Sequence, residues 1–244
     1  MHLSIVIPVY NEQVKISKDI RLASEYLLNA KFKGEIIVVD DGSSDATIET
    51  LTKLQRTSTL KFKLLQHRAN QGKGSAVRTG ILASRGDYVI FVDSGNCVPF
   101  RYATDGLKLL TSDQCDLAFG SRKLTESVIT TPTKLSRRIF SRLFNTFIKT
   151  YLHVPSTFTD TQCGFKVFKT DVAKELFSSC QTKGFTFDVE ILLKALKQGY
   201  RVCEFPIQWR SDADSKVHPF KMSYAVLKEL IRTKKLLARL DRAS

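Results

Sequence analysis

The stretch YVIFVDSG, residues 88–95, decides how the rest of this chain is interpreted. Its apolar residues run without a break from Val89 to Val92, which predicts a buried strand that ends just before Asp93. In open α/β sheets, ligands bind at the edge where the strands have their carboxyl ends. A carboxylate at that edge of a basic protein indicates a ligand that carries a metal ion or a phosphate. The alternative is a turn or N-cap aspartate, a common fate for an Asp that leaves a strand.

The residues before this stretch alternate between apolar runs and amphipathic segments. The predicted strands cover 3–9, 35–39, 61–66 and 88–92, and the predicted helices cover 13–29, 46–56 and 75–84. Right-handed crossovers in such an alternation give a mainly parallel sheet flanked by helices. The loops that follow the strands are polar or rich in glycine, and they share one edge of the sheet. They are residues 8–12, 40–45, 70–74 and 93–97. The sequence therefore predicts an α/β fold with a binding site at this edge.

The composition is that of a basic globular protein. The 244 residues are 43% apolar and 25% charged, with a formal net charge of +14. The apolar fraction supports a packed core, and the charge predicts an anionic partner: nucleotide phosphates, nucleic acid or an acidic membrane surface. Nucleic acid leaves the acidic residues at the strand ends unexplained, so we expect no nucleic-acid partner. The 5 scattered cysteines form no CxxC pair, which fits reduced thiols in a cytosolic protein.

Two amphipathic segments with basic flanks mark the second half of the chain. Residues 139–152 carry a Phe-rich apolar stripe, and residues 220–240 set Leu, Ile and Val against a row of cations. Packing on the sheet and contact with anionic lipid headgroups both explain such helices. No run reaches the roughly 18 apolar residues of a membrane span, so we expect a soluble or peripheral protein. Residues 123–137 predict a mobile loop, and residues 116–120 and 201–209 predict strands.

Three motifs of the first half resemble the inverting family 2 glycosyltransferases of the GT-A fold. They are SIVIPVYNE at 4–12, VVDDGSSD at 38–45 and NQGKG at 70–74. Motifs of the second half are similar to the polyprenyl-phosphate glycosyltransferases of that family, namely GSR at 120–122, DTQCGFK at 160–166, FDVE at 187–190 and EFPIQW at 204–209. The segment SKVHPF at 215–220 is most similar to dolichyl-phosphate β-glucosyltransferases, with dolichyl-phosphate mannosyltransferases as near neighbours.

The resemblance covers nearly the whole chain and implies a single Rossmann-like GT-A domain over residues 1–244. In this arrangement residues 1–97 are the nucleotide-binding half and residues 98–220 are the acceptor half. Residues 221–244 would form a basic amphipathic C-terminal helix, which we expect to face a membrane.

The resemblance also implies a site for a nucleotide-sugar. The implied binding residues are Pro8, Tyr10, Glu12, Val39, Asp41, Lys73, Asp93, Ser94, Gly95, Arg122, Arg210 and Lys216. The first five would surround the base and the ribose. The cations among the others would neutralise the diphosphate, because Arg contacts phosphate in a bidentate way and Lys acts as a point charge.

The implied catalytic residues are Asp93, Arg122 and Asp160. Arg122 would face the diphosphate or the acceptor phosphate. A hydroxyl acceptor needs a carboxylate base, and Asp160 or Asp188 would supply it. A polyprenyl phosphate is already ionised at neutral pH, and Asp160 would then orient the acceptor loop or the sugar. The residues alone leave both kinds of acceptor open.

Residues 93–95 stand where the family carries its D-x-D metal motif, and they depart from that motif. Gly95 replaces the second carboxylate, and Asn96 offers a weaker oxygen ligand. Mg²⁺ and Mn²⁺ bind through one or two carboxylates together with substrate phosphates and waters. We therefore expect a divalent cation that Asp93 binds weakly and in a substrate-dependent way. The incomplete motif also leaves open a non-catalytic protein that binds nucleotide-sugars.

The function implied by the resemblance is the inverting transfer of glucose from UDP-glucose to a polyprenyl or dolichyl phosphate at a membrane surface. A GDP-mannose-dependent mannosyltransferase and a transferase that glycosylates a polysaccharide or a protein are the alternatives. The expected partners are the nucleotide-sugar donor, the polyprenyl-phosphate acceptor and the membrane surface. The expected location is the cytoplasm, at the cytoplasmic face of a membrane.

Overall fold

A seven-stranded sheet with helices on both faces forms the centre of the structure, a computed structural model that describes residues 1–30, 32–131, 145–211 and 219–240. The strands are β1 (His2–Val9), β2 (Lys33–Asp40), β3 (Lys63–Gln66), β4 (Tyr88–Val92), β5 (Leu117–Ser121), β6 (Val128–Thr131), β7 (Phe165–Lys169), β8 (Val202–Pro206) and β9 (Gln208–Arg210). The helices are α1 (Ile16–Asn29), α2 (Thr47–Thr57), α3 (Lys73–Ala83), α4 (Tyr102–Thr111), α5 (described over 145–152), α6 (Thr170–Ser178), α7 (Phe187–Lys197) and α8 (Pro219–Leu240).

The sheet has the strand order β3-β2-β1-β4-β7-β5-β8. β1 pairs in parallel with β2 and β4, β2 with β3, and β5 with β8, whereas β7 runs antiparallel to both of its neighbours, β4 and β5. All strands except β7 therefore end at one edge of the sheet, and β7 begins at that edge. The predicted α/β class with a mainly parallel sheet flanked by helices is confirmed.

The central strand β4 shows why the sequence forms this layered fold. Val89 and Phe91 belong to the core cluster under α3, α6 and α7, and Ile90 and Val92 belong to the cluster under α1 and α4. Successive side chains of a strand point to opposite faces of the sheet. A strand that is covered on both faces therefore needs an unbroken apolar run rather than an alternating one. The run at 88–92 meets this requirement.

Two sequence-based expectations about the second half are wrong. Residues 123–137 were expected to form a mobile loop, but Val128–Thr131 form β6, which pairs with β9, and residues 132–137 lie outside the described part. Residues 201–209 were expected to form one strand, but the chain leaves the large sheet after Pro206 and joins β6 in a small second sheet. Proline carries no N–H donor for a sheet ladder. β9, the partner of β6, lies far along the chain, so no local sequence pattern predicts that the two strands pair.

The amphipathic segment at 139–152 is described from residue 145, and residues 139–144 lie outside the described part. In α5, Ile148 and Leu152 are buried in the core, while Phe147 is 45% exposed. The apolar stripe thus divides between core packing and an outward-facing aromatic ring. Among the described residues, each helix is too short or too polar to span a lipid bilayer.

Gly80 allows α3 to pack closely on β1 and β2. A Cβ at this position would overlap Cγ1 of Val6 and would lie 3.1 Å from Cγ2 of Val39. We expect the overlap in Gly80→Ala to outweigh the gain of about 1 kcal/mol that alanine has over glycine in a helix, for a net loss of about 1–2 kcal/mol in the free energy of unfolding. Urea denaturation followed by circular dichroism measures this loss. Leu82→Ala changes a more exposed position of α3 and is the control; equal losses in the two variants would contradict the close packing.

Candidate active site

The carboxyl edge of the sheet brings together loops that are far apart in sequence. Asp93 directly follows β4, and its backbone N–H donates to the carbonyl oxygen of Gly164 (2.8 Å), the residue before β7. A Cβ at position 164 would overlap the Asp93 carboxylate, so the close approach requires glycine. Lys73, the first residue of α3, places its Nζ atom 2.7 Å from Oδ1 of Asp93. These contacts join β4, β7 and α3 around Asp93.

Lys73 lies near aromatic rings as well as carboxylates. Its Nζ atom is 5.4 Å from the ring centroid of Phe91 and 6.0 Å from that of Phe185, within the range of cation–π attraction. Burial lowers the pKa of Lys73, but the carboxylates of Asp93 and Asp188 more than offset this effect, so the pKa lies above its ordinary value. Lys73 therefore carries a stable positive charge at neutral pH.

The turn after Asp93 has a backbone that favours glycine where a second carboxylate was expected. Gly95 has a φ angle of +89° and Asn96 one of +47°, and Ser94 is partly buried in the same turn. The N–H of Gly95 donates to Oδ2 of the buried Asp19 (2.8 Å). A residue with a Cβ adopts such a positive φ only at a cost. The departure from the D-x-D pattern is thus built into the conformation of this turn.

A divalent cation fits this site with the help of a substrate. Within the described residues, no group of three or more His, Cys, Asp and Glu side chains is placed to hold a metal ion. Asp93 offers one carboxylate, and Mg²⁺ or Mn²⁺ accepts so few protein ligands where substrate phosphates and waters complete the shell. The chemistry of Asp93 fits a weakly held cation, and its role as the metal ligand stays a prediction.

Arg122 is fixed by the buried carboxylate of Asp160. Its Nε and Nη2 atoms donate to Oδ2 (2.6 Å) and Oδ1 (2.8 Å), and its backbone N–H also donates to Oδ2 (3.1 Å). The guanidinium carbon lies 5.5 Å from the centroid of the Trp209 ring. Burial opposes ionisation of Asp160, but Arg122 outweighs it and holds the pKa of this carboxyl well below its usual range. So weak a base suits the orientation of Arg122 better than proton abstraction.

Glu204 on β8 holds the loop that carries Asp160. Its carboxylate accepts hydrogen bonds from the backbone N–H groups of Thr159 (2.7 Å) and Asp160 (2.8 Å) and from the Thr159 hydroxyl (2.8 Å). Glu204 was not among the predicted site residues. The available signal is a carboxylate inside the otherwise apolar run of a strand, because a carboxylate in such a place needs a specific partner.

Asp41 organises the loop that precedes Lys73. Its Oδ1 atom accepts the N–H of Gln71 (2.9 Å) and lies 2.7 Å from Nδ1 of His67, and its Oδ2 atom accepts the N–H of Gly72 (2.8 Å). The side chain is almost completely buried. These hydrogen bonds show that the Asp41 carboxylate stabilises the loop. Its implied contact with a nucleotide base stays a prediction.

The remaining residues predicted around the base differ in exposure, and Tyr10 alone among them is exposed. Pro8 and Val39 are paired neighbours in β1 and β2, and both are buried, so they offer a ligand little beyond backbone atoms. Tyr10 is 39% exposed at the end of β1. Glu12 is anchored in the same loop, where its backbone N–H donates to the hydroxyl of Thr47 (2.8 Å). The structure thus brings Tyr10 and Glu12 to the predicted edge.

Arg210 reaches the same edge at the end of β9. Its backbone N–H donates to the carbonyl oxygen of Cys97 (2.8 Å), in the loop that follows Asp93, and its side chain is exposed. The structure therefore places this predicted phosphate-binding residue beside the Asp93 loop. Lys216 lies outside the described residues, and its contact with the donor phosphates stays a prediction.

Asp188, the second candidate base, is buried in an ion pair. Its Oδ1 atom lies 2.8 Å from Nζ of Lys166, and both side chains are almost inaccessible to solvent. Lys166 also lies over the ring of Phe119, with Nζ 4.9 Å from its centroid. Burial raises the pKa of Asp188, while Lys166 and Lys73 act against the rise. The covered carboxylate is poorly placed to meet an acceptor hydroxyl.

The pair of Asp160 and Arg122 predicts a pH-dependent loss of stability in Asp160→Asn. A carboxyl whose pKa is lower in the folded than in the unfolded chain stabilises the fold above its unfolded pKa, and this contribution disappears as the pH falls through the folded pKa. We expect Asp160→Asn to lose about 3 kcal/mol at neutral pH, and the difference from wild type to shrink below about pH 4. Urea denaturation across the pH range measures both.

Asp105→Asn is the matched control for this experiment, because Asp105 lies 3.6 Å from Lys108 in an exposed pair. Exposed pairs contribute little, so a change below about 1 kcal/mol is expected. A difference between Asp160→Asn and wild type that stays constant from neutral to acidic pH would contradict the ion pair.

Comparison with known proteins adds to the geometry. The family model that matches the chain is Glycosyl transferase family 2, over residues 4–177. A dolichyl-phosphate β-glucosyltransferase of Dictyostelium discoideum is 32% identical over 242 residues, which cover 95% of this chain and 73% of that protein. The dolichyl-phosphate β-glucosyltransferase of Homo sapiens is 33% identical over 229 residues, which cover 89% of this chain and 70% of that protein.

A solved structure shares the fold. Glucosyl-3-phosphoglycerate synthase from Mycobacterium tuberculosis, in complex with Mn²⁺, UDP-glucose and phosphoglyceric acid, aligns with a TM-score of 0.69 at 18% identity, covering 96% of this chain and 80% of that one. At this identity the likeness establishes the fold alone. The sequence matches establish the family: the chain belongs to glycosyl transferase family 2, in which it groups with the dolichyl-phosphate β-glucosyltransferases.

Proposed function

We propose that this glycosyltransferase moves glucose from UDP-glucose to dolichyl phosphate, with inversion at the anomeric carbon. An oxygen of the acceptor phosphate forms a bond to C1 of glucose, and the bond between C1 and the UDP oxygen breaks, so that UDP leaves with the electron pair. The names of the similar relatives support the sugar and the acceptor. The UDP-glucose in the complex of the fold neighbour supports the donor.

The proposal of a phosphate acceptor rests on one observation: both candidate bases are already engaged in ion pairs. Asp160 is held in a bidentate pair by Arg122, and Asp188 is buried against Lys166. A hydroxyl acceptor requires a carboxylate that removes its proton, and neither carboxylate is suited to that task. A phosphate acceptor is already ionised at neutral pH. It needs positive charge and positioning, which this edge of the sheet offers.

Arg122 is the proposed contact of the acceptor or donor phosphates. Its guanidinium is held on one side by Asp160 and lies near the Trp209 ring, so it loses little further freedom when it binds an anion. Residues 98–220 supply this group, while residues 1–97 supply the loops proposed for the nucleotide. We therefore assign the acceptor to the second part of a single domain and the donor to the first.

Asp93 is the proposed ligand of a divalent cation, and the Mn²⁺ in the complex of the fold neighbour supports such a cation. When bound, the cation would neutralise charge that develops on the leaving diphosphate. Arg210 and Lys216 would add positive charge at the same phosphates. Tyr10 is the exposed residue proposed at the nucleoside end. Glu12 lies in the same loop, and Asp41 fixes the neighbouring loop.

We propose that the enzyme acts at a membrane surface, because the proposed acceptor is a lipid. Phe147 is exposed and stacks on Tyr151 with ring centroids 5.6 Å apart, and Nζ of Lys234 on α8 lies 4.3 Å from the Tyr151 centroid. Exposed apolar and basic side chains alternate on α8, as in helices that lie in the headgroup region. They are Leu227, Ile231, Arg232 and Lys235. The free cysteines fit the reducing cytoplasmic side.

Labelled UDP-glucose and a short-chain polyprenyl phosphate test the reaction. We expect a glucolipid from the wild-type protein and a loss of at least about 100-fold in Asp93→Ala, because that variant removes the carboxylate at the centre of the site. Asp105→Ala, which removes an exposed carboxylate from α4, serves as the control and keeps its activity.

The proposed reaction is contradicted if no labelled lipid forms. If a product forms from GDP-mannose but not from UDP-glucose, the donor is GDP-mannose and the proposed donor is wrong. If transfer proceeds without lipid, the proposed acceptor is wrong. Asp93→Ala with only a modest loss of activity would remove Asp93 from the centre of the site.

Flotation with anionic vesicles tests the membrane surface. Each cation near such a surface contributes about 1 kcal/mol, so we expect Arg232→Gln/Lys235→Gln to bind on the order of 30-fold more weakly than wild type. Lys61→Gln/Lys63→Gln removes equal charge from the exposed start and flank of β3 and should bind like wild type. Equal weakening in the two double variants would indicate net charge alone, without a docking face on α8.

A further inference from the structure

Lys73 and Asp93 neutralise each other at the centre of the site. The distance between Nζ of Lys73 and Oδ1 of Asp93 is 2.7 Å, and the two side chains are 22% and 33% exposed. Oδ1 itself has almost no solvent-accessible surface, so a ligand can approach the pair from solvent but reaches this atom only if a neighbouring group moves. Lys73 begins α3 and Asp93 directly follows β4, and both elements contribute side chains to the buried core. The site thus holds a preformed pair of opposite charges.

This pair conflicts with direct binding of a metal ion. A divalent cation at Oδ1 of Asp93 would stand beside the ammonium group that already pairs with this atom, and like charges repel strongly in a partly buried site. The turn at Gly95 supplies no second carboxylate to offset the additional positive charge. Asp93 is consequently a poor ligand for a divalent cation while Lys73 remains in contact with it.

A diphosphate gives Lys73 an alternative partner. Lysine carries its charge on a flexible stem that reorients readily. The backbone at the start of α3 is less available to an anion, because the N–H groups of Gly74 and Ser75 already donate to the carbonyls of Gly184 (3.2 Å) and Lys183 (3.1 Å). The side chain of Lys73 is therefore the part of this loop that is best able to meet the phosphates.

We propose that Lys73 is the resident counter-cation of Asp93 and that it gives way to a divalent cation only when a nucleotide diphosphate binds. The proposal rests on the proposed function for the chemistry of its donor. Lys73 turns to the diphosphate, and the carboxylate of Asp93 becomes available to the cation. Cation and nucleotide then strengthen each other's binding, and the coupling is the same in both directions because affinities are thermodynamically linked.

The test measures binding and requires no catalysis. Free Mn²⁺ is followed by electron paramagnetic resonance without nucleotide, and UDP binding is followed by calorimetry without metal. Relative to wild type, we expect Lys73→Met to bind Mn²⁺ at least about 5-fold more tightly and UDP at least about 5-fold more weakly, the lower end of typical couplings between sites. A variant that merely damaged the fold would weaken both.

Two control variants test whether the change in affinity is specific to the charge of Lys73. Lys73→Arg keeps the charge and should keep Mn²⁺ binding as weak as in wild type. Lys183→Met removes a lysine from the exposed loop against α3 and should change neither affinity.

Mn²⁺ binding to Lys73→Met that is no tighter than to wild type would overturn the proposal. If Lys73→Met fails to fold, the wild-type protein provides the test through its Mn²⁺ affinity measured with and without UDP. Corrected for the Mn²⁺ that UDP itself binds, equal Mn²⁺ affinity with and without UDP would also overturn it. Neither measurement uses a lipid or an intact donor, so the outcome is independent of the proposed transfer reaction.

Discussion

The pairing of β4 with the antiparallel strand β7 is the constraint on which the site depends. Val92 lies opposite Phe165, and the ladder continues into the hydrogen bond between the Asp93 N–H and the Gly164 carbonyl. Because β7 runs against its neighbours, the residues before it arrive at the edge where the parallel strands end. This reversal brings the loop of Asp160 next to Asp93. A parallel strand in the same place would carry that loop to the opposite edge.

Opposite charges that meet at this edge are the second unifying feature. Each of three carboxylates has a cation from another element within hydrogen-bonding distance, as in the pairs Asp93–Lys73, Asp160–Arg122 and Asp188–Lys166. A charge removed from water is tolerated in a folded protein when such a partner compensates it. The partners differ in exposure: Lys166 is fully buried, whereas Lys73 and Arg122 remain partly accessible. The accessible cations are the ones that suit an anionic substrate, and the buried one stabilises the frame beneath them.

Local patterns predicted the first half well and the second half less well. The apolar runs of β1, β2 and β4 are long and covered on both faces, so periodicity located them. The short strands β6 and β9 have exposed residues and, among the residues that the structure describes, pair only with each other, so their pattern resembles that of a loop. The site residues were likewise predictable only where a local pattern marks them. Asp93 was visible at the end of a strand, whereas Glu204 acts through contacts with residues 159 and 160 that no local pattern contains.

The sequence by itself determined the α/β class, the family, the edge that carries the site and the loss of the second carboxylate at Gly95. These properties depend on the order and type of residues that are close in the chain. Only the tertiary structure decided that β7 runs antiparallel, that Asp41 holds the loop before Lys73 and Asp160 holds Arg122, and that Lys73 lies against Asp93. Such contacts join residues that are tens of positions apart, and their distances depend on how the helices and strands pack. The sequence therefore predicted which charged groups are present, and packing determined their partners.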